Sequence, residues 1–378
     1  MPVANPSRIV LIGDTGCRVT SSPDYAQACN DPTQFPLRFV ATFAASFKPD
    51  LVVHVGDYFY REQPCPAAVP GCAGSPSYDN WDTWNADWFD PARNLLASAP
   101  LALSRGNHES CNRGARGWFR LLDPRPYDQN AVDCVGQTPP AEGTPGTRTS
   151  YVSRFDATPP YVVKAGPVAL IMFDSSISDV SGPDTATRTQ DGLTVPELYK
   201  AQLEPVFAAL SGRSAFFVTH KSSFDIRRAT LHGALSGGDG TQQSVFDAIS
   251  PGGVPDPVRL IVSGHDHQFE AINFDEKRYA PQLVVGNGGT LLDNNSGTQP
   301  QTFVPDTETA NQNQPYALAG LRRAPKITIQ SDTDEARYGF TVLDAVADGY
   351  VLNAYDLAGR HLARCVVQLT ARSLICPR

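Results

Sequence analysis

The chain has 378 residues, 41% of them hydrophobic, which is enough apolar content to bury a sizeable core and argues against wholesale disorder. Its formal charge of −8 argues against a nucleic-acid polymer as main partner. That charge still admits a small phosphorylated substrate, because a metal site supplies its own positive field. No stretch reaches the roughly 18 consecutive apolar residues of a membrane-spanning helix, so no membrane span is expected.

In chain order, a buried strand is expected at Arg8–Ile12, running into Gly-Asp-Thr-Gly at 13–16. A helical pattern at Leu37–Phe47 precedes a strand at Leu51–Val55, which ends in Gly-Asp-Tyr-Phe-Tyr at 56–60. A helix at Trp84–Ala97 and a strand at Leu101–Ser104 lead to Gly-Asn-His-Glu at 106–109. A strand at Val168–Phe173, a helix at Val195–Leu210 and a strand at Ala215–Thr219 bring the chain to His220. A helix at Gln242–Ile249 and a strand at Leu260–Ser263 then lead to Gly-His-Asp-His at 264–267, followed by a strand at Leu283–Val285. Near the C-terminus, Gly339–Leu343 and Tyr350–Tyr355 flank Ala-Asp-Gly and read as an antiparallel hairpin, with Cys365–Leu369 as a further strand.

Wholly apolar strands alternating with helices predict a layered α/β fold, whose sites lie beyond the carboxyl ends of the strands. Three long loops, 61–83, 110–150 and 287–338, interrupt the rhythm, and loops of that length in a compact domain usually carry function. With no internal repeat or clean linker, residues 1–378 read as one domain.

The eight cysteines fall in close pairs: Cys17 and Cys29, Cys65 and Cys72, Cys111 and Cys134, Cys365 and Cys376. Proximity favours four short-loop disulfides and an oxidising compartment; buried free thiols or a thiolate metal site are the alternative. The first seven residues lack the features of a signal peptide, so the expectation is a secreted or periplasmic protein whose export signal is absent from this sequence.

The motif residues after the strands are Asp14, Asp57, Asn107, His108, His220, His265 and His267. Carboxylate, amide oxygen and imidazole are the ligands of hard or borderline cations such as iron, manganese and zinc. A site for two metals needs a shared carboxylate, and Asp57, at the end of the Leu51–Val55 strand, is the candidate bridge.

Taken in this order, the motifs resemble those of the calcineurin-like metallophosphoesterase superfamily, over roughly residues 8–290. The resemblance implies an α/β/β/α sandwich with mixed sheets and a C-terminal β-hairpin. It implies Asp14, Asp57 and His267 at one metal, and Asp57, Asn107, His220 and His265 at the second. Asn107 and His108 become the catalytic pair, with His108 serving as acid–base or phosphate-orienting group. One departure is informative: most members carry Asp-x-His in the first motif, whereas this chain has Gly16 where the histidine would stand. The second motif supplies Asp-x-x-Tyr, the spacing of purple acid phosphatases, so Tyr60 resembles a phenolate ligand to ferric iron; Tyr58 has the wrong spacing. The cofactors implied are two metal ions, iron paired with iron, zinc or manganese. The cysteine-bearing insertions and the tail after 290 do not match the small purple acid phosphatases.

The reaction implied is hydrolysis of a small-molecule phosphate ester by a metal-bound hydroxide, as in an acid-phosphatase-like phosphomonoesterase. A phosphodiesterase on the same site, or a non-catalytic metal- or ligand-binding protein on the same fold, are the alternatives; neither the ester nor the oligomeric state is specified. Outside the motifs, His54 reads as a core histidine or a support for a ligand, His361 as structural and Asp174 as a turn carboxylate or a support for the site. Arg61 and Glu62 read as pocket-lining or as a surface ion pair, and His232, with Arg227 and Arg228, as phosphate-binding or a surface loop. Trp81, Trp84, Trp88 and Trp118 read as packing anchors near the cleft.

Overall fold

Two seven-stranded sheets organise the chain. The structure is a computed structural model, which describes residues 5–111, 113–127, 157–178, 192–224, 238–251, 253–274, 277–293, 327–331 and 337–376. In the first sheet, β1 (Arg8–Ile12), β2 (Leu51–His54) and β3 (Leu101–Leu103) run parallel. In the second, the hairpin β4 (Tyr161–Ala165) and β5 (Val168–Met172) leads into parallel β6 (Ala215–Val218) and β7 (Val258–Ser263). β9 (Gln282–Val285) continues the parallel set, while β8 (Phe269–Phe274) and β10 (Ile327–Ser331) close that sheet antiparallel. The C-terminal strands β11 (Gly339–Val346), β12 (Gly349–Asp356), β13 (His361–Gln368) and β14 (Ser373–Ile375) extend the first sheet antiparallel from β1.

Alternating side chains explain the layering, because successive residues of a strand face opposite sides. Ile9, Leu11 and Val53 of the first sheet share a core with Leu170, Phe216, Val262 and Leu283 of the second. Val10, Ile12 and Val52 point the other way, onto α1 (Leu37–Ser46) and α3 (Asp90–Leu96). Ile171, Phe217 and Ile261 do the same onto α5 (Val195–Ala209) and α6 (Gly240–Ile249). The result is the expected α/β/β/α sandwich with mixed sheets. Both α5 and α6 start at capped ends: Thr194 and Glu197 form a capping box, and Asp239 accepts from the amides of Thr241 and Gln242.

Three details differ from expectation. The helix read at Trp84–Ala97 starts earlier, at α2 (Trp81–Trp84) capped by Asn80, and passes through a π-turn at Asn85–Phe89 before α3. The stretch read as a loop over 287–338 contains β10, and β4, β8 and β14 were not foreseen. The C-terminal hairpin is half of a four-strand antiparallel extension. The 61–83 loop holds single turns stapled by Cys65–Cys72, and the short helix α4 (Ala115–Gly117) opens the next. Most of 110–150, and the part of 287–338 between 294 and 326, lie outside the described residues.

Disulfides join Cys17 to Cys29, Cys65 to Cys72 and Cys365 to Cys376, each as proximity suggested. Cys111 is also disulfide-bonded; Cys134, its expected partner, lies outside the described residues. Among the described residues, no helix is long and apolar enough to cross a membrane.

Candidate metal centre

The carboxyl ends of β1, β2, β6 and β7 point to one edge of the sandwich, and the loops that follow are tied together through backbone hydrogen bonds. Asp14 N–H donates to Gly56 O (3.0 Å), Thr15 N–H to Asp57 O (2.9 Å) and Gly264 N–H to His220 O (2.9 Å). Asp14, Asp57 and His265 all adopt left-handed backbone conformations, with φ of 53°, 60° and 71°. Non-glycine residues rarely occupy that region, and such strain persists where surrounding structure enforces it, often at functional sites. The turns need close approach as well. A Cβ on Gly56 (φ 111°) would stand 2.7 Å from Nδ1 of His220.

Among the described residues, two triplets could each hold a metal ion, Asp57 with His220 and His265, and Asp14 with Asp57 and His267, with the candidate ligand atoms of each set within 4.8 Å of one another. Asp57 belongs to both. Asn107 adds its amide oxygen to the first, 2.8 Å from Nε2 of His220. Tyr60 adds its hydroxyl to the second, 2.6 Å from Oδ2 of Asp57, 3.2 Å from Oδ1 of Asp14 and 2.8 Å from Nε2 of His267.

Donors and acceptors do not balance in this cluster. The ring nitrogen Nδ1 of His220 meets the Val55 carbonyl at 3.1 Å and Nδ1 of His267 meets the Leu291 carbonyl at 2.7 Å, so each Nδ1 must carry the hydrogen. Nε2 of His220 then faces two acceptors, Asn107 Oδ1 at 2.8 Å and Asp57 Oδ2 at 3.2 Å. Around the other triplet, the single Tyr60 proton serves two carboxylates and Nε2 of His267. Buried acceptors facing one another are costly unless a proton or a metal cation lies between them, and this donor set fits cations of the iron, zinc and manganese type.

Acid–base properties point the same way. Burial, then the Asp57 charge, pushes the Asp14 carboxyl well above its ordinary range. Burial alone would also raise Asp57, but the His220 and His108 rings beside it hold it well below. Burial followed by the two carboxylates drives the Tyr60 phenol well up, so only a strongly charged cation would make it a phenolate. Burial lowers His267 to about 4, which keeps its Nε2 lone pair open to a cation under mildly acidic conditions.

Tyr60 is held by a residue that sequence reasoning missed. Buried Asp87, in the π-turn, accepts from the amides of Tyr60 (2.8 Å) and Cys17 (3.1 Å) and pairs with Arg61. Gly16 explains the motif departure sterically: a Cβ there would stand 2.7 Å from Tyr58 O and 2.9 Å from Tyr60 N. The segment that delivers Tyr60 thus occupies the space a side chain at 16 would need.

His108 and Asp57 are connected by a 2.8 Å hydrogen bond from the His108 amide to Asp57 Oδ1. The His108 ring stacks on Tyr60 at 3.8 Å, directs Nε2 toward Asp57 Oδ2 at 4.0 Å and pairs through Nδ1 with Glu62. Arg113 lies 3.5 Å from the same Glu62 oxygen. Burial would raise the Glu62 carboxyl, but His108 and Arg113 hold it below its ordinary value. Glu109 is the other missed residue. Its buried carboxylate accepts from the amides of Asp57, Tyr58, Phe59 and Gly106 at 2.8–3.0 Å, fixing two motif loops at once.

The remaining candidates sit as follows. His54 is buried, accepts from Gly56 N–H, meets the Thr15 hydroxyl at 2.9 Å and stacks on Tyr58, a core role. Tyr58 donates away from the centre to Ser104 O. Asp174 pairs with buried Arg105 and accepts from Thr158 N–H, a structural role. Arg61 is buried against Asp87 rather than forming a surface pair. Trp84, Trp88 and Trp118 are fully buried packing anchors, whereas Trp81 is exposed and stacks on Phe89. His361 packs against Tyr355 with the rings tilted, their centroids 4.6 Å apart. Arg227, Arg228 and His232 lie outside the described residues.

No curated protein matches the chain in sequence. Among solved structures, PhoD aligns over 100% of this chain and 73% of its own, with a TM-score of 0.52 and 12% identity. Purple acid phosphatase PPD1 from yellow lupin (Lupinus luteus) seeds aligns over 95% of this chain with a TM-score of 0.48 and 15% identity. This chain spans 53% of the lupin protein's length. A dimetal phosphatase from Danio rerio aligns over 97% of this chain and 100% of its own, with a TM-score of 0.45 and 12% identity. At 12% identity the PhoD likeness speaks to fold alone. The calcineurin-like phosphoesterase model matches residues 7–269, a span that starts just before β1 and includes every motif residue from Asp14 to His267. The chain therefore belongs to the calcineurin-like phosphoesterase family, a metallophosphoesterase by class.

Proposed function

We propose that the chain is a dinuclear, iron-containing phosphoesterase of purple-acid-phosphatase-like type, acting on small-molecule phosphomonoesters in an oxidising compartment. The observation that carries this reading is the sharing of Asp57 between two ligand triplets, one of which holds the buried Tyr60 hydroxyl. Asp14, Asp57, Tyr60 and His267 would hold one cation, and Asp57, Asn107, His220 and His265 the other. Two cations bound there would acidify a water and offset the charge of the phosphoryl group. The disulfides support the secreted or periplasmic setting.

The protein's own part is positioning and proton transfer. Asn107 and His108 orient the phosphoryl oxygens. Water attacks phosphorus in line as the ester P–O bond breaks, and His108 passes a proton from Nε2 to the departing oxygen. Glu62, on Nδ1, keeps Nε2 aimed at the site. No phosphoenzyme forms. Glu62→Gln should lower kcat by about 10- to 100-fold, the usual cost of removing a partner that orients a site residue. KM should change less than kcat, because Asn107 still holds the phosphoryl group; a rise in KM with unchanged kcat would contradict this role for Glu62.

Iron is tested through Tyr60. A tyrosinate on ferric iron absorbs visible light, so purified protein should be coloured and Tyr60→Phe should bleach it. A colourless, fully active zinc or manganese enzyme would leave the family assignment standing and overturn the iron reading.

A further inference from the structure

One cation beside the centre has no role in the reaction as derived above. Arg18 lies just beyond the first motif, with its guanidinium carbon 6.0 Å from the Tyr60 ring centroid. It is close enough for its charge to bear on both Tyr60 and His267. Its arginine neighbours around the centre are already neutralised: Arg61 by Asp87, Arg105 by Asp174 and Arg113 by Glu62. Among the described residues, no carboxylate pairs with Arg18, and its buried Nε has no hydrogen-bond partner.

Its backbone, in contrast, is firmly placed. Cys17, the preceding residue, is buried in the disulfide to Cys29 and donates its amide to Asp87. Arg18 N–H donates to Oε1 of Gln27 and Arg18 O accepts from Gln27 N–H, both at 2.7 Å. Val19 N–H donates to Tyr60 O at 3.1 Å, and Val19 bridges to Arg61. A guanidinium on a stapled segment, with a buried unpaired Nε and no carboxylate partner among the described residues, is poised to take an anion. It lies beside the Tyr60 ring, and the phosphoesterase reading brings a phosphoryl group to that centre.

We propose that Arg18 clamps a phosphoryl oxygen of the substrate and makes this centre favour phosphomonoesters over diesters; the proposal rests on the phosphoesterase reading above. A monoester presents three terminal oxygens and, near neutral pH, a charge of about −1.5 to −2. A diester presents two terminal oxygens and one charge. An additional guanidinium fork therefore has more to hold in the monoester, and forked pairing with phosphate is the interaction arginine makes best.

The test compares wild type, Arg18→Gln and Arg18→Lys, with metal content matched and folding checked by thermal midpoint. Turnover of p-nitrophenyl phosphate and bis(p-nitrophenyl) phosphate is measured, together with the Kd of inorganic phosphate. Arg18→Gln should lower the monoester-to-diester ratio of kcat/KM by about 10-fold or more, chiefly through KM, as expected for losing a charged hydrogen bond. Phosphate binding should weaken by a similar factor. Arg18→Lys, which keeps the charge without the fork, should fall between the two, and is read alone if Arg18→Gln does not fold. An unaltered ratio, or equal losses on both esters, overturns the role of Arg18. Wild-type protein that cleaves neither ester overturns the phosphoesterase reading, and this proposal with it.

Discussion

Asp57→Asn is expected to lower kcat by roughly 10³-fold or more, at the upper end for loss of one electrostatic element in an active site. Metal-free Asp57→Asn protein should also be less stable than metal-free wild type at neutral pH, because the fold favours the charged form of this carboxyl. Both expectations follow from one set of contacts. Asp57 is shared by the two ligand triplets, so an amide there weakens both cation sites together. Without cations, the His220 and His108 rings and the Tyr60 hydroxyl still favour its charged form over burial, although that charge helps to raise the Asp14 and Glu109 carboxyls. Steady-state kinetics with thermal unfolding in chelator would measure both effects. A variant that keeps near-full activity, or that is more stable than metal-free wild type, would contradict this role.

Glu109→Ala should cost about 3–5 kcal/mol of stability, the range for breaking a buried charged network by removing one partner. Four amides converge on this carboxylate: Asp57 and Gly106 on Oε2, Tyr58 and Phe59 on Oε1. Alanine would leave all four buried donors without an acceptor, and the full desolvation cost of such groups then appears. Burial, followed by the Asp57 charge, pushes the Glu109 carboxyl well up, and the converging amides pull against that rise. Activity should fall with stability, because Asp57 loses the anchor of its loop. Denaturant unfolding decides the matter: a loss below about 1 kcal/mol would show that the amides find other partners.

Most of the framework was legible because β1, β2, β5, β6 and β7 are short apolar runs, and all but β5 lead within two residues to glycine or a site residue. Tyr60 was legible by its spacing from Asp57. Why Gly16 replaces the usual histidine was not, because the reason is contact with Tyr58 and Tyr60, distant in sequence. Glu62, Asp87 and Glu109 likewise act through partners that only the fold brings near, and Arg18 stands out only once the fold sets it beside Tyr60. Strand β8 escaped notice because Glu270 interrupts its apolar pattern, although the fold buries that residue. β14 has three residues and β10 lies in a stretch rich in Asn, Gln and Pro, so neither shows a period. The π-turn that delivers Asp87 breaks the helical spacing by which the helix at 84–97 was read.

Elemental analysis of protein purified without chelators, paired with aryl-phosphate turnover before and after metal removal, tests the shared-carboxylate centre most directly. Two metal ions per chain, at least one of them iron, and activity that disappears on stripping and returns on reloading, is the expected result. Full turnover by metal-stripped protein, or active protein holding a single metal ion, would contradict it.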